Sequence, residues 1–162
     1  MKILFLLRHA KSSWKDSGIP DHDRPLQKRG KRDAPRMGEL MVKEELFPDL
    51  IISSSAKRAC KTSELLVEEA GFDCEIVYER DLYAAWPDAY IETLNVLPDQ
   101  YERVMVVGHN PGLEDLLEML TDEFERMPTA ALAVISLPIT SWRELSSETR
   151  GELVRIYRPK EL

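Results

Sequence analysis

Two histidines and two arginines carry the most chemistry in this chain, and each stands at or just beyond the end of an apolar run. Ile3 to Leu7 stops at Arg8 and His9. Asp49 to Ile52 runs into Ser53-Ser54-Ser55, shortly before Arg58, and Val104 to Val107 gives way to Gly108, His109 and Asn110. Guanidinium groups bind phosphate oxygens in pairs and do not lose their charge. A neutral imidazole is a competent nucleophile towards phosphorus, and neighbouring arginines keep it unprotonated near neutral pH. Gathered in one crevice, the four groups suit phosphoryl transfer, which depends on positioning and on charge neutralisation around the equatorial oxygens. Taken singly, each has a plainer reading, with Arg8 ending an edge strand and His9 packed in a loop. The repetition of the strand-end pattern is what favours chemistry.

The elements that must deliver these residues alternate. Short apolar runs read as buried strands, and in an open α/β sheet the ligand crevice lies outside their carboxyl ends. Lys11 to Asp23 reads as a polar loop and Asp23-Arg24-Pro25-Leu26 as the approach to a helix around Met37, Leu40 and Met41, which Pro35 should kink or begin. Ala56 to Ala70 reads as a helix capped by the preceding serines and closed by Gly71. Arg58 falls in its first turn, where the helix dipole opposes a cation, so the placement calls for an anionic partner. Glu75 to Tyr78 is a third strand, and Trp86-Pro87-Asp88 opens a helix reaching about Leu97. Pro111 suits the first turn of a helix over Leu113 to Leu120, with amides facing the crevice. Ala130 to Leu137 and Leu153 to Tyr157 are the last strands.

Composition sets the class. With 162 residues, 43% of them hydrophobic, the chain is expected to form a single domain over 1–162. A net charge of -7 disfavours general nucleic-acid binding and asks for a local basic pocket if the substrate is anionic. The apolar run at the start is too short for a secretory signal, so a cytoplasmic protein without a membrane span is expected. Cys60 and Cys74 form no disulfide framework or zinc pattern, and His9, His22 and His109 lack metal-ligand spacing. No metal or organic cofactor is expected.

Leu7-Arg8-His9-Ala10, Asp23-Arg24-Pro25-Leu26, Ser53 to Thr62 and Val107-Gly108-His109-Asn110-Pro111 together resemble the histidine phosphatase superfamily, in the right order across most of the chain. The short length, the Asp-Arg-Pro-Leu segment and Asp81-Leu82-Tyr83 are similar to the compact SixA-type phosphohistidine phosphatases. The resemblance implies a three-layer α/β/α sandwich around a mostly parallel central sheet. It implies His9 as a transiently phosphorylated nucleophile, Arg8 and Arg58 as phosphate clamps, and His109 as a further phosphate donor joined by the Asn110 amide. Ala10 stands where the family commonly has glycine, so the loop must take a conformation open to alanine. Members acting on alcohol phosphates use a carboxylic acid to protonate the leaving group. Glu79, Asp81 and Asp88 are the nearby candidates here, none within a clear motif. Phosphohistidine needs that acid less, because its leaving imidazole can itself accept a proton.

Rival readings attach to several residues. Cys74 to Arg80 has the C-x5-R spacing of cysteine phosphatases, but its strand-like interior with two glutamates would repel phosphate. His22 reads as an exposed loop residue, Arg24 as a substrate contact or a salt bridge with Asp21 or Asp23, and Lys11 and Lys57 as solvated charges raising local potential. Ser12 either donates to phosphate or caps its own loop. Trp14 and Trp86 either wall the pocket or pack as core. Three functions follow: a phosphatase acting on phosphohistidine in a phosphorelay or phosphotransfer protein, a phosphatase of small phosphate esters with the same site, and a phosphate-binding regulatory module without turnover. The last is disfavoured, since a binder has no need of the nucleophile.

Overall fold

The computed structural model describes residues 1–162. Its centre is a six-stranded sheet in the order β3-β2-β4-β1-β5-β6, formed by β1 (Lys2–Arg8), β2 (Leu50–Ser54), β3 (Glu75–Glu79), β4 (Arg103–Gly108), β5 (Leu132–Leu137) and β6 (Glu152–Tyr157). The first four strands pair in parallel, and β5 and β6 add antiparallel along the β1 side. Alternation within β1 explains the layering. Leu4 and Leu6 join a buried cluster with residues of α3 (Pro87–Asn95) and α4 (Gly112–Thr121), whereas Phe5 and Leu7 join one with residues of α1 (Lys28–Lys43) and α2 (Lys57–Ala70). Buried on both faces, such a strand has to be apolar throughout. The mixed α/β layering expected from the sequence is thus the one observed.

Several expected boundaries move. α1 begins at Lys28 and runs through Pro35. The ring removes one helical hydrogen bond, but Ala34, Met37, Gly38 and Met41 are buried on the same helix and hold it against the sheet. A Cβ on Gly38 would lie 2.5 Å from the Leu66 carbonyl oxygen, so glycine is what lets α1 and α2 approach. α2 is flanked by Ala56 with no side-chain cap. Ser54 accepts instead from the Ala56 amide at 3.2 Å, one step before the helix, and Gly71 closes the helix at φ 71° as expected. α3 ends at Asn95, short of Leu97, and β5 starts at Leu132, because Ala130 has positive φ (64°) and cannot continue a strand. No helix is long and apolar enough to cross a membrane.

Candidate active site

The carboxyl ends of β1, β2 and β4 meet in the middle of the sheet, and the chemistry-bearing residues lie on them. The His9 and His109 rings are 5.1 Å apart between centroids, tilted by 53°, and both residues are 6% exposed. His9 Nδ1 lies 2.7 Å from the Ala10 carbonyl oxygen. A carbonyl only accepts, so Nδ1 carries the hydrogen and Nε2 keeps its lone pair. The Ala10 amide donates to Thr62 Oγ1 at 2.9 Å, which ties the loop that carries His9 to the second turn of α2. Ala10 is not among the positive-φ residues, and that is why alanine can replace glycine here. Gly30 serves the same loop from the other side: a Cβ there would stand 2.2 Å from the Lys11 carbonyl oxygen.

His109 Nε2 pairs with Ser54 Oγ at 2.7 Å. Burial, followed by the Arg58 guanidinium, pushes His109 down to about 4. Burial also takes His9 down to about 3, with His109, Arg58 and Arg8 acting in the same direction against the Ala10 hydrogen bond. Both imidazoles are therefore neutral at pH 7. Arg8 donates from Nη1 to the Met127 carbonyl at 3.2 Å, and the Nε of Arg8 and of Arg58 are buried without an acceptor in the protein. Such donors are costly to leave unmade.

Arg58 has the anionic partner that its place at the positive end of α2 calls for. Its Nη1 donates to the Asp21 carbonyl at 2.7 Å and its Nη2 to Asp21 Oδ2 at 3.0 Å. Asp21 also accepts from Tyr83 Oη at 2.6 Å and Arg24 Nε at 3.0 Å. The tyrosine hydrogen bond, with those of Arg24 and Arg58, holds its carboxyl well below the usual range, ionised at any working pH. His22 bonds through Nε2 to Ser55 Oγ at 2.9 Å and meets Tyr83 edge-on at 4.8 Å. Tyr83 meets His109 edge-on at 5.6 Å.

Asp21, His22 and Tyr83 are thus site residues that sequence reasoning missed, His22 having been read as a simple loop residue. They come from a 3-10 turn (Asp21–Asp23) and the segment after β3, where no periodicity marks them. The place of Arg58 in the first turn of α2 calls for an anion such as Asp21, and Tyr83 lies in the Asp81-Leu82-Tyr83 segment that carries part of the resemblance.

Other expected residues make contacts of their own. Ser12 is buried and accepts from Arg24 Nη1 at 2.8 Å, and Arg24 also makes the expected salt bridge to Asp21. Trp14 is exposed and stacks on Arg24 at 3.5 Å. Trp86, also exposed, shares a cavity with His109 and Asn110. Neither tryptophan is core. Asn110 donates from Nδ2 to the Met127 carbonyl at 2.8 Å, and its Oδ1 is buried unpaired. The Leu113 amide is used by the His109 carbonyl at 3.0 Å, so the start of α4 closes onto its own strand end instead of facing the crevice with that donor. Of the acid candidates, Glu79 and Asp81 line a separate cavity of about 620 Å³ with Leu50, Ile52 and Val77, to which none of the four central residues contributes. Asp88 lies exposed in the first turn of α3.

The segment between α4 and β5 is stitched under the site. The Met127 amide donates to Glu114 Oε2 at 2.7 Å, its carbonyl receives Arg8 and Asn110, and the Ala130 amide is shared by the Arg8 and His9 carbonyls at 3.1 and 3.0 Å.

The chain is similar to known proteins in sequence and in fold. The sequence profile of the histidine phosphatase superfamily (branch 1) matches residues 4–84. An uncharacterized protein of Mycobacterium tuberculosis is 36% identical over 140 residues, 80% of this chain and 85% of that protein. An uncharacterized chloroplast protein of Arabidopsis thaliana is 33% identical over 150 residues, 87% of this chain and 69% of that protein. A crystal structure from Agrobacterium tumefaciens, ascribed to the phosphohistidine phosphatase SixA, superposes with a TM-score of 0.84 at 30% identity, covering 98% of both chains. On this sequence and structural ground the chain belongs to branch 1 of the histidine phosphatase superfamily and is a phosphatase of the SixA type.

Proposed function

We propose that this phosphatase hydrolyses phosphohistidine on a protein substrate through a phosphorylated His9 intermediate. The observation that carries the reading is the presentation of His9: Nδ1–H is fixed on the Ala10 carbonyl, and Nε2 is neutral and free between buried guanidinium groups. In the first step the Nε2 lone pair forms a bond to phosphorus while the substrate P–N bond breaks, and its electron pair returns to the leaving imidazole, which takes a proton from solvent. In the second, a water oxygen attacks phosphorus, the bond to His9 Nε2 breaks, and the water's proton leaves with inorganic phosphate. Arg8 and Arg58 neutralise the equatorial oxygens in both steps.

The carboxylates favour a phosphoramidate over an ester. Asp21 is ionised and held by three donors, and Glu79 and Asp81 line another cavity, so none of these three offers a proton beside the histidines. An imidazole leaving group tolerates this far better than an alkoxide does. The likeness to a protein ascribed to SixA points the same way.

The test compares phosphate release by purified, metal-free protein from a protein phosphorylated on histidine with phosphoramidate and from p-nitrophenyl phosphate, with His9→Ala as control. Faster release from phosphohistidine, lost in His9→Ala, is the expected result. Preference for the ester would replace this reading with that of a small-molecule phosphatase, and substantial turnover by His9→Ala would remove the covalent intermediate.

A further inference from the structure

Beside Arg8 the surface changes sign. One cavity of about 380 Å³ is lined by Arg8, Arg126 and Arg158 with Met127 and Pro128. A second, of about 120 Å³, is lined by Arg29, Arg32, Arg36 and Lys160, again with Pro128. The shared proline makes the two one basic band, continuous with the phosphate clamp Arg8, on a chain of net charge -7. Its counter-charges are few. Arg32 and Arg36 share the buried Asp33 at 3.3 Å each, Arg158 is divided between Glu125 at 3.7 Å and Glu161 at 3.6 Å, and Glu114 lies by Arg8. Arg29, Arg126 and Lys160 have no carboxylate within ion-pair distance and are exposed. The carboxylates Glu79, Asp81 and Glu92 cluster instead on the separate cavity by β2 and β3, at the opposite edge of the sheet from β6.

We infer that this band is the docking surface for an acidic protein segment flanking the phosphorylated residue, which seats its phosphoryl group on Arg8 and Arg58 and its carboxylates on Arg29, Arg126 and Lys160. The inference rests on the reading that the substrate is a phosphorylated protein. Arg8 lines the first cavity and Arg29 and Lys160 the second, so a ligand that engages all three spans both. Complementary charge outside the reacting centre selects partners and speeds encounter more than it adds chemistry.

The experiment uses two short synthetic peptides with one histidine phosphorylated by phosphoramidate, flanked in one by glutamates and in the other by lysines. Both are assayed with the wild type and with the Arg29→Ala/Arg126→Ala/Lys160→Ala variant, and binding of their fluorescein-labelled, unphosphorylated forms is measured by anisotropy. The wild type is expected to bind and turn over the glutamate peptide with a Kd and KM about tenfold lower than for the lysine peptide, as three exposed ion pairs allow. That preference should vanish in the triple variant with kcat unchanged, and in molar salt, where screening reaches down to about 3 Å. Turnover of both peptides with equal KM overturns the docking surface and leaves phosphohistidine hydrolysis standing. Selective binding of the glutamate peptide without turnover of either overturns the phosphohistidine reading and keeps the surface. Competition by oligothymidylate as strong as by the glutamate peptide would make the band a general polyanion site and overturn the inference.

Discussion

Lowering the pH from 7 to 5 should destabilise this protein through His9 and His109 before any carboxylate is involved. Each is buried in neutral form, with His9 held down to about 3 and His109 to about 4 against 6.5 when free. A depressed folded-state value means stability that is whole above 6.5 and is lost as the pH falls towards those lower values, because the unfolded chain takes up protons that the folded one refuses. Between pH 7 and 5 the unfolded state gains about 0.7 proton per histidine, about 2 kcal/mol each and so about 4 kcal/mol for the pair. That is a large part of the roughly 5–15 kcal/mol that holds an ordinary domain folded. Urea midpoints at the two pH values, read by far-UV circular dichroism with a common slope, measure it. The His9→Ala/His109→Ala double variant should lose most of the pH dependence whatever its absolute stability. A wild-type change below about 1 kcal/mol, or His9 and His109 imidazole NMR signals titrating near 6.5 in the folded protein, would refute the reasoning.

Three further outcomes are expected. Arg58→Ala should lower kcat on the order of 100-fold or more with the circular dichroism spectrum unchanged, the loss typical of a preorganised donor to developing charge. Asp21→Asn should lower kcat by about tenfold, since Arg58 loses the charged group that aims it, while inhibition by inorganic phosphate is not weakened because a nearby negative charge has gone; unchanged kcat would show that Arg58 needs no such support. Gly108→Ala should cost about 1–3 kcal/mol in urea unfolding, because its Cβ would stand 2.0 Å from Tyr90 Oη. Tyr90→Phe in the same chain should recover part of it and not all, Tyr90 Cζ being only 2.9 Å away.

How much of this was legible in the sequence depends on whether a signal is local. β1, β2 and β4 are apolar runs ending in polar residues, and a strand buried on both faces has no other way to be written, so the three strand ends and their histidines and arginines could be read directly. The antiparallel addition of β5 beside β1 could not, since nothing within Leu132–Leu137 encodes its neighbour. Pro35 reads as a helix breaker by its own chemistry, and only the burial of Ala34, Met37 and Gly38 overrides it. Arg58 announced a missing anion through its place in a helix first turn, yet the identity of Asp21 depends on a loop folding back over residues 22–57. Glu79 and Asp81 misled for the converse reason: closeness in sequence to the site segment Tyr83 does not stop a strand edge from turning them to another cavity.

The stitching of the segment between α4 and β5 has a consequence for how this scaffold can vary. With Met127 and Ala130 bonded through their main chain to Arg8 and His9, an insertion there would displace those two residues. The stretch from Lys15 to Gly18 is exposed and is held chiefly by its own turn, in which the Gly18 amide meets Asp16 Oδ1 at 2.9 Å. Extra residues at that point would leave the bonds around Arg8 and His9 untouched. Lengthening is thus open at the exposed turn around Asp16 and closed around Met127, where this architecture varies by residue exchange alone.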